Sequence, residues 1–277
     1  MITDHFDVSH TDYGTHVGTA WTLRPGAADI AALEVAESIV EVTVVDPARI
    51  NAWKTRHDGG ADHADTQARI LQSFVRRAVG LPGATVGQAG YRDPHHVQAS
   101  VAEHLWYQLT LVSHDHLGVC LLIDHPKWYV TAPGPDSVTI FRPESGDLAF
   151  RLWEIKKHSP ASNVRRVVKE ASGQMAIRGA EYIAEIVSVL LKQDGLSEEM
   201  MEFVKHMPDA WDGTDSVASA GVSVATDYGG YSTRALKPMP VELPMFAGNK
   251  RLVGLVAEID VLADFSRLVQ EHVWKGL

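Results

Sequence analysis

The 277-residue chain is 45% apolar, enough to build one large core, yet it holds no apolar run of the roughly 18 residues a membrane span needs. Its formal net charge of −10 argues against a protein that coats nucleic acid through its whole surface field. Cys120 is the only cysteine and lies in the apolar run GVCLLID, which excludes an intrachain disulfide and predicts a buried structural thiol.

The N-terminus, MITDHFDVSH, is polar and acidic, unlike a secretory signal, and with the lone cysteine it points to a reducing cytoplasm. Mixed apolar patterns follow over 18–22 and 34–45. Asp46-Pro47 and the stretch HDGGADHAD, from His57 to Asp65, read as turns. Gln67–Val79 carries apolar residues at helical spacing, ended by Leu81-Pro82-Gly83. On this reading residues 1–90 are an elaboration packed on a core domain over 91–277.

The middle of the chain is clearer. Val97, Val101, Leu105 and Leu109 form one stripe of a helix over 97–111. Short strands are expected at 118–123 and 128–131. A hairpin then pairs 137–142 with 148–156 across the turn PESGD. Asn163 is placed as the cap of a long helix with Val164, Val168, Ala171, Met175, Ile183, Ile186 and Leu190 on one stripe, ending near Gln193-Asp194-Gly195. An irregular segment, strands over 216–226 and 252–261 and a closing helix over 262–274 complete an α/β layer fold.

Folding the hairpin at Ser145 sets Arg142 across from Leu148, Ile140 from Phe150, Val138 from Leu152 and Asp136 from Glu154. Side chains alternate along a strand, so Asp136, Glu154 and Lys156 gather on one face beside the apolar pairs. Two carboxylates this close repel unless positive charge lies between them. A hard divalent ion, Mg²⁺ or Mn²⁺, answers that need, with Lys156 beside it to orient a metal-bound water. From Arg151 to Lys169 the bases Arg151, Lys156, Lys157, Arg165, Arg166 and Lys169 are opposed by Glu154 alone. That local stripe on an acidic body suits contact with a polyanion at one place.

Pro135-Asp136 followed by Glu154-Ile155-Lys156 resembles the PD-(D/E)xK motif of the restriction-endonuclease-like superfamily. In that superfamily the Asp starts the second core strand and Glu-x-Lys lies in the third. The resemblance implies a restriction-endonuclease-like core of helix, mixed sheet, long helix and strand. It implies a Mg²⁺- or Mn²⁺-dependent nuclease acting on DNA. Asp136 and Glu154 would be metal ligands, Lys156 the catalytic lysine, and Glu103 an accessory ligand from the preceding helix. Lys157, His158, Arg165, Arg166 and Lys169 would meet the DNA backbone. One departure stands out: the RecB-like branch has Gln then Tyr four residues later on the long helix, whereas here Gln174 is followed at that spacing by Arg178. The N-terminal extension and the sequence WEIKKH before the long helix also resemble the nuclease subunit of Hachiman-type antiphage systems, which implies a helicase partner.

Other constellations have plainer readings. Asp147 reads as a turn residue, and Trp153, on the face opposite Glu154, is expected to pack against the long helix. His104, His114, Asp115 and His116, with His95-His96 nearby, lack the spacing of a helical zinc pair and read as loop or surface residues. No phosphate loop frames Gly229-Gly230, and GTDSVASAG holds no nucleophile elbow. Two further readings remain: the same fold as a non-catalytic DNA- or protein-binding module, and a histidine-based zinc hydrolase.

Overall fold

The computed structural model describes residues 1–60, 65–112, 118–126, 136–159, 163–232 and 234–277. The His114-Asp115-His116 cluster, the strand expected at 128–131, and Pro135 lie outside these residues. In chain order the elements are β1 (Phe6–Asp12), β2 (Val17–Leu23), α1 (Ala28–Val44), α2 (Pro47–His57), α3 (Asp65–Val79), α4 (Pro94–Val112) and β3 (Val119–Ile123). Then come β4 (Ser137–Arg142), β5 (Ala149–His158), α5 (Val164–Leu190), α6 (Glu198–Asp212), β6 (Ala218–Asp227), α7 (Met239–Glu242), β7 (Leu252–Ile259) and α8 (Leu262–Lys275).

The strands form one mixed seven-stranded sheet in the order β1-β2-β7-β6-β5-β4-β3. The central four, β2, β7, β6 and β5, are parallel, while β1, β4 and β3 pair antiparallel at the two edges. Central parallel strands are covered on both faces, which is why β6 and β7 read as nearly unbroken runs of apolar and small residues. On one face α1, α3, α4 and α8 build a core around Trp53, Trp106 and Trp153. On the other, α5, α6 and α7 cover Val138, Ile140, Leu152, Val222 and Val224. Residues 1–90 continue the same sheet, since β2 pairs with β7, and α1 packs on α8 and α4.

Several local expectations change. Asp46-Pro47 starts a helix: the Asp46 side chain accepts from the Ala48 N–H at 3.0 Å and Pro47 occupies the first helical turn, where it loses no hydrogen bond. The segment expected to be irregular after Gly195 contains α6, capped by Ser197 and burying Met200, Val204, Met207 and Trp211. Their spacing of four, three and four was a helical signal that Pro208, inside the helix, obscured. Asn163 does precede α5, but in a left-handed conformation (φ 76°) and with no side-chain cap hydrogen bond. Cys120 is only half-buried, on the edge strand β3; burial raises its thiol pKa, opposed by a contact with the Leu122 carbonyl. No described helix is long and apolar enough to cross a membrane.

His104 is fully enclosed on α4 and hydrogen-bonds Ser38 at 3.0 Å. Burial first, and the neighbouring His125 second, pull its imidazole from 6.5 down to about 3. As pH falls below 6.5 the unfolded chain therefore binds a proton that the folded chain refuses, and stability declines until about pH 3. The limiting slope is about 1.4 kcal/mol per pH unit. Urea denaturation of His104→Gln should show a smaller loss between pH 6.5 and 5 than wild type; equal losses would assign the acid sensitivity elsewhere.

Candidate metal and phosphate site

The β4–β5 pairing runs Phe141↔Ala149, Ile140↔Phe150, Thr139↔Arg151, Val138↔Leu152 and Ser137↔Trp153. Continued by one residue, this register sets Asp136 across from Glu154, as the hairpin reading expects. Alternation puts Glu154 and Lys156 on the α5 face and Trp153 and Ile155 on the α4 face. Trp153 accordingly packs edge-on against Trp106 of α4, centroids 5.6 Å apart, and donates to Thr139 Oγ1 at 3.1 Å. This corrects its expected partner, the long helix, which covers the other face.

Asp136, Glu154 and Lys156 meet. The Lys156 ammonium donates to Glu154 Oε1 and lies 3.8 Å from Asp136 Oδ2. Asp136 Oδ2 also accepts from the Ile155 N–H at 2.6 Å, which ties the start of β4 to the middle of β5. Glu154 is only 1% exposed, Asp136 21% and Lys156 32%. A buried carboxylate is tolerable only with a cation or donors beside it, and Lys156 supplies both. Burial alone would lower the Lys156 pKa; the charges of Asp136 and Glu154 outweigh it, so the pKa is raised and the ammonium persists at neutral pH.

The α5 helix adds Tyr182, which the sequence reading passed over, beside Gln174 and Arg178. Gln174, Arg178 and Tyr182 are spaced i, i+4, i+8 and share one flank. Gln174 donates to the buried Tyr182 hydroxyl at 2.5 Å, and the Arg178 guanidinium lies 4.8 Å from the Tyr182 ring centre. Tyr182 lies within electrostatic reach of Lys156, and Glu154 of Arg178, whose pKa is raised chiefly by its hydrogen bond to Glu181. Arg178, the departure from the RecB-like pattern, is thus a cation of α5 within electrostatic reach of Glu154. The signal was the second four-residue step from Gln174, to Tyr182.

The remaining expected residues are dispersed. Glu103 is buried on α4, the helix on the opposite face of the sheet. Among the described residues no three His, Cys, Asp or Glu side chains converge on one point, so Glu103 does not join the carboxylate pair. Lys157 also points to the α4 face, where its ammonium meets His95 Nδ1 at 2.8 Å and Gln98 Oε1 at 3.1 Å; burial lowers its pKa. His158 is half-buried at the end of β5. Arg165 and Lys169 lie about half a turn around α5 from the Gln174–Arg178 flank, at 3.6 residues per turn. Asp147 lines a cleft with Glu199, Phe203 and His206, at the turn end of the hairpin and away from Asp136.

The donor chemistry fits Mg²⁺ or Mn²⁺ to this extent: two opposed carboxylates, one just before β4 and one within β5, within the one or two that Mg²⁺ commonly takes from a protein. No family model matches the chain, and no match was found among curated proteins.

Proposed function

We propose that the protein is a metal-dependent nuclease hydrolysing DNA phosphodiester bonds, with Asp136, Glu154 and Lys156 as its reactive centre. The observation that carries this reading is the register-opposed pair Asp136 and Glu154 with the Lys156 ammonium between them. In support, a helix precedes three antiparallel strands, and the long helix α5 is followed by α6 and then by a strand parallel to the third. Asp136 immediately precedes the second of these strands and Glu154 lies in the third. Apart from the added α6, this order supports the restriction-endonuclease-like reading.

Asp136 and Glu154 would hold Mg²⁺ or Mn²⁺, which would lower the pKa of a bound water and offset phosphoryl charge. With both carboxylates so engaged, Lys156 would be held less tightly by them, and its ammonium would orient the attacking water. The water oxygen bonds to phosphorus, the bond to the leaving sugar oxygen breaks, and the water's proton passes to solvent while that oxygen is protonated. Arg178 supplies positive charge toward a non-bridging phosphate oxygen. An effector of antiphage defence working with a helicase is the proposed setting, because an acidic chain with one basic region suits a complex that presents it to DNA.

Incubation with supercoiled plasmid and with linear single- and double-stranded DNA tests this reading. Cleavage is expected with Mg²⁺ or Mn²⁺ and none with EDTA; equal cutting in EDTA would remove the metal-dependent mechanism. One observation favours a second reading, a non-catalytic binding module: the Lys156 ammonium already pairs with Glu154 and lies 3.8 Å from Asp136. A module of that kind would bind DNA equally with and without Mg²⁺ and leave it intact.

A further inference from the structure

Between the first turns of α5 and the segment entering α7 lies an open groove of about 380 Å³. Arg165, Arg166 and Lys169 line it from α5, and Lys237 joins them from 68 positions beyond Lys169 in the sequence. Among the described residues that line it, Glu242 is the one carboxylate, 3.9 Å from Lys169. Arg166 also pairs with Glu170, outside the groove, at 3.6 Å. These two ion pairs have largely exposed cations and are worth little against solvent. No carboxylate among the described residues lies within ion-pair distance of Arg165 or Lys237. A chain of net charge −10 therefore concentrates four cations on one exposed wall.

We infer that this groove is an anchoring track for the sugar-phosphate backbone of a nucleic-acid strand, separate from the carboxylate site. All four cations are exposed, and among the described residues neither a buried polar side chain nor an aromatic ring lines the groove. Nothing there would fix the orientation of a small ligand or stack a base, whereas solvated cations suit successive phosphates. Arg165 and Lys169, four residues apart, place their Cβ atoms about 5–6 Å from each other along the helix. α7 packs on α5 and β7, whereas Asp136 and Glu154 belong to the β4–β5 hairpin. Within the track, Arg165 and Lys169 lie about half a turn around α5 from Gln174 and Arg178. The track adds sequence-independent affinity, raising substrate occupancy without entering the chemical step. The inference deepens the proposed nuclease and rests on it only for the consequence in cleavage.

The test measures fluorescence anisotropy of labelled single strands and duplexes of about 30 nucleotides, in EDTA, over roughly 50–200 mM NaCl. It compares wild type, Lys237→Glu, Arg165→Glu/Lys169→Glu and a control, Lys192→Glu, exposed beyond the far end of α5. Thermal melts establish that each variant is folded. The groove variants should bind about tenfold or more weakly at low salt, with a salt slope smaller by about one per lost phosphate contact. The control should bind like wild type. Unchanged affinity in both groove variants, equal loss in the control, or absence of binding by wild type would each overturn the track. So would groove-dependent binding to anionic vesicles without binding to DNA. If Mg²⁺ is then supplied and the groove variants cut, their KM should rise with kcat unchanged. Groove-dependent binding with no cutting by wild type would uphold the track and sink the nuclease.

Discussion

Glu154→Gln should lose metal-dependent DNA cleavage by on the order of 10²–10³-fold, the cost of removing one preorganised charge from a reacting centre. The substitution keeps the shape of a side chain that is 1% exposed and keeps an acceptor for Lys156, so it changes charge far more than packing. Asp136→Asn should match it, because the two acids act on the same ion. The double variant should be scarcely worse than either single one, since groups acting as a unit are not additive. Lys156→Met should also be inactive, but with a different companion effect. It leaves the buried Glu154 facing Asp136 without its cation, and breaking a buried pair costs about 3–5 kcal/mol. Thermal melts separate the cases: Glu154→Gln and Asp136→Asn stay near wild type, while Lys156→Met melts lower in EDTA and recovers with Mg²⁺. Full cleavage by Glu154→Gln would move the chemistry to another site.

Trp153→Ala should destabilise the fold by about 3–5 kcal/mol, the usual cost of emptying a buried aromatic site. For a chain of this size that corresponds to a fall in Tm of roughly 6–20 °C. The Trp153 ring is sealed against Trp106 on one side and donates to Thr139 Oγ1. It also lies over Gly221 of β6, where an added Cβ would come within 2.4 Å of the ring. Gly221→Ala alone should therefore be destabilising through overpacking. Combined with Trp153→Ala it should cost much less than the sum, because the methyl group then enters vacated space. Additive losses in a double-mutant cycle would show that Gly221 matters for some reason other than the ring above it. Trp153 is the immediate neighbour of Glu154, so its loss should also loosen the strand that aims the carboxylate and depress cleavage.

The sequence by itself determined what depends on local pattern. The turn PESGD and the two-residue period around it specify the β4–β5 register, and that register is what opposes Asp136 to Glu154 with Lys156 on the same face. The stripe from Val164 to Leu190 likewise gives α5, and Val97 to Leu109 gives α4. Capping hid more than it revealed: Asp46-Pro47 looks the same as a turn until its helix is seen, and Pro208 disguised α6. Tertiary structure alone decided which side of each element meets which partner. It joined β2 to β7 across more than two hundred residues, set Trp153 on α4, drew Lys157 to His95, and kept Glu103 from the carboxylate pair. It also divided the flanks of α5, giving Gln174, Arg178 and Tyr182 to the site and Arg165 and Lys169 to the groove that Lys237 completes. The physical reason is that strand and helix periods fix which residues share a face, whereas the partner of that face is chosen by burial among segments far apart in the chain.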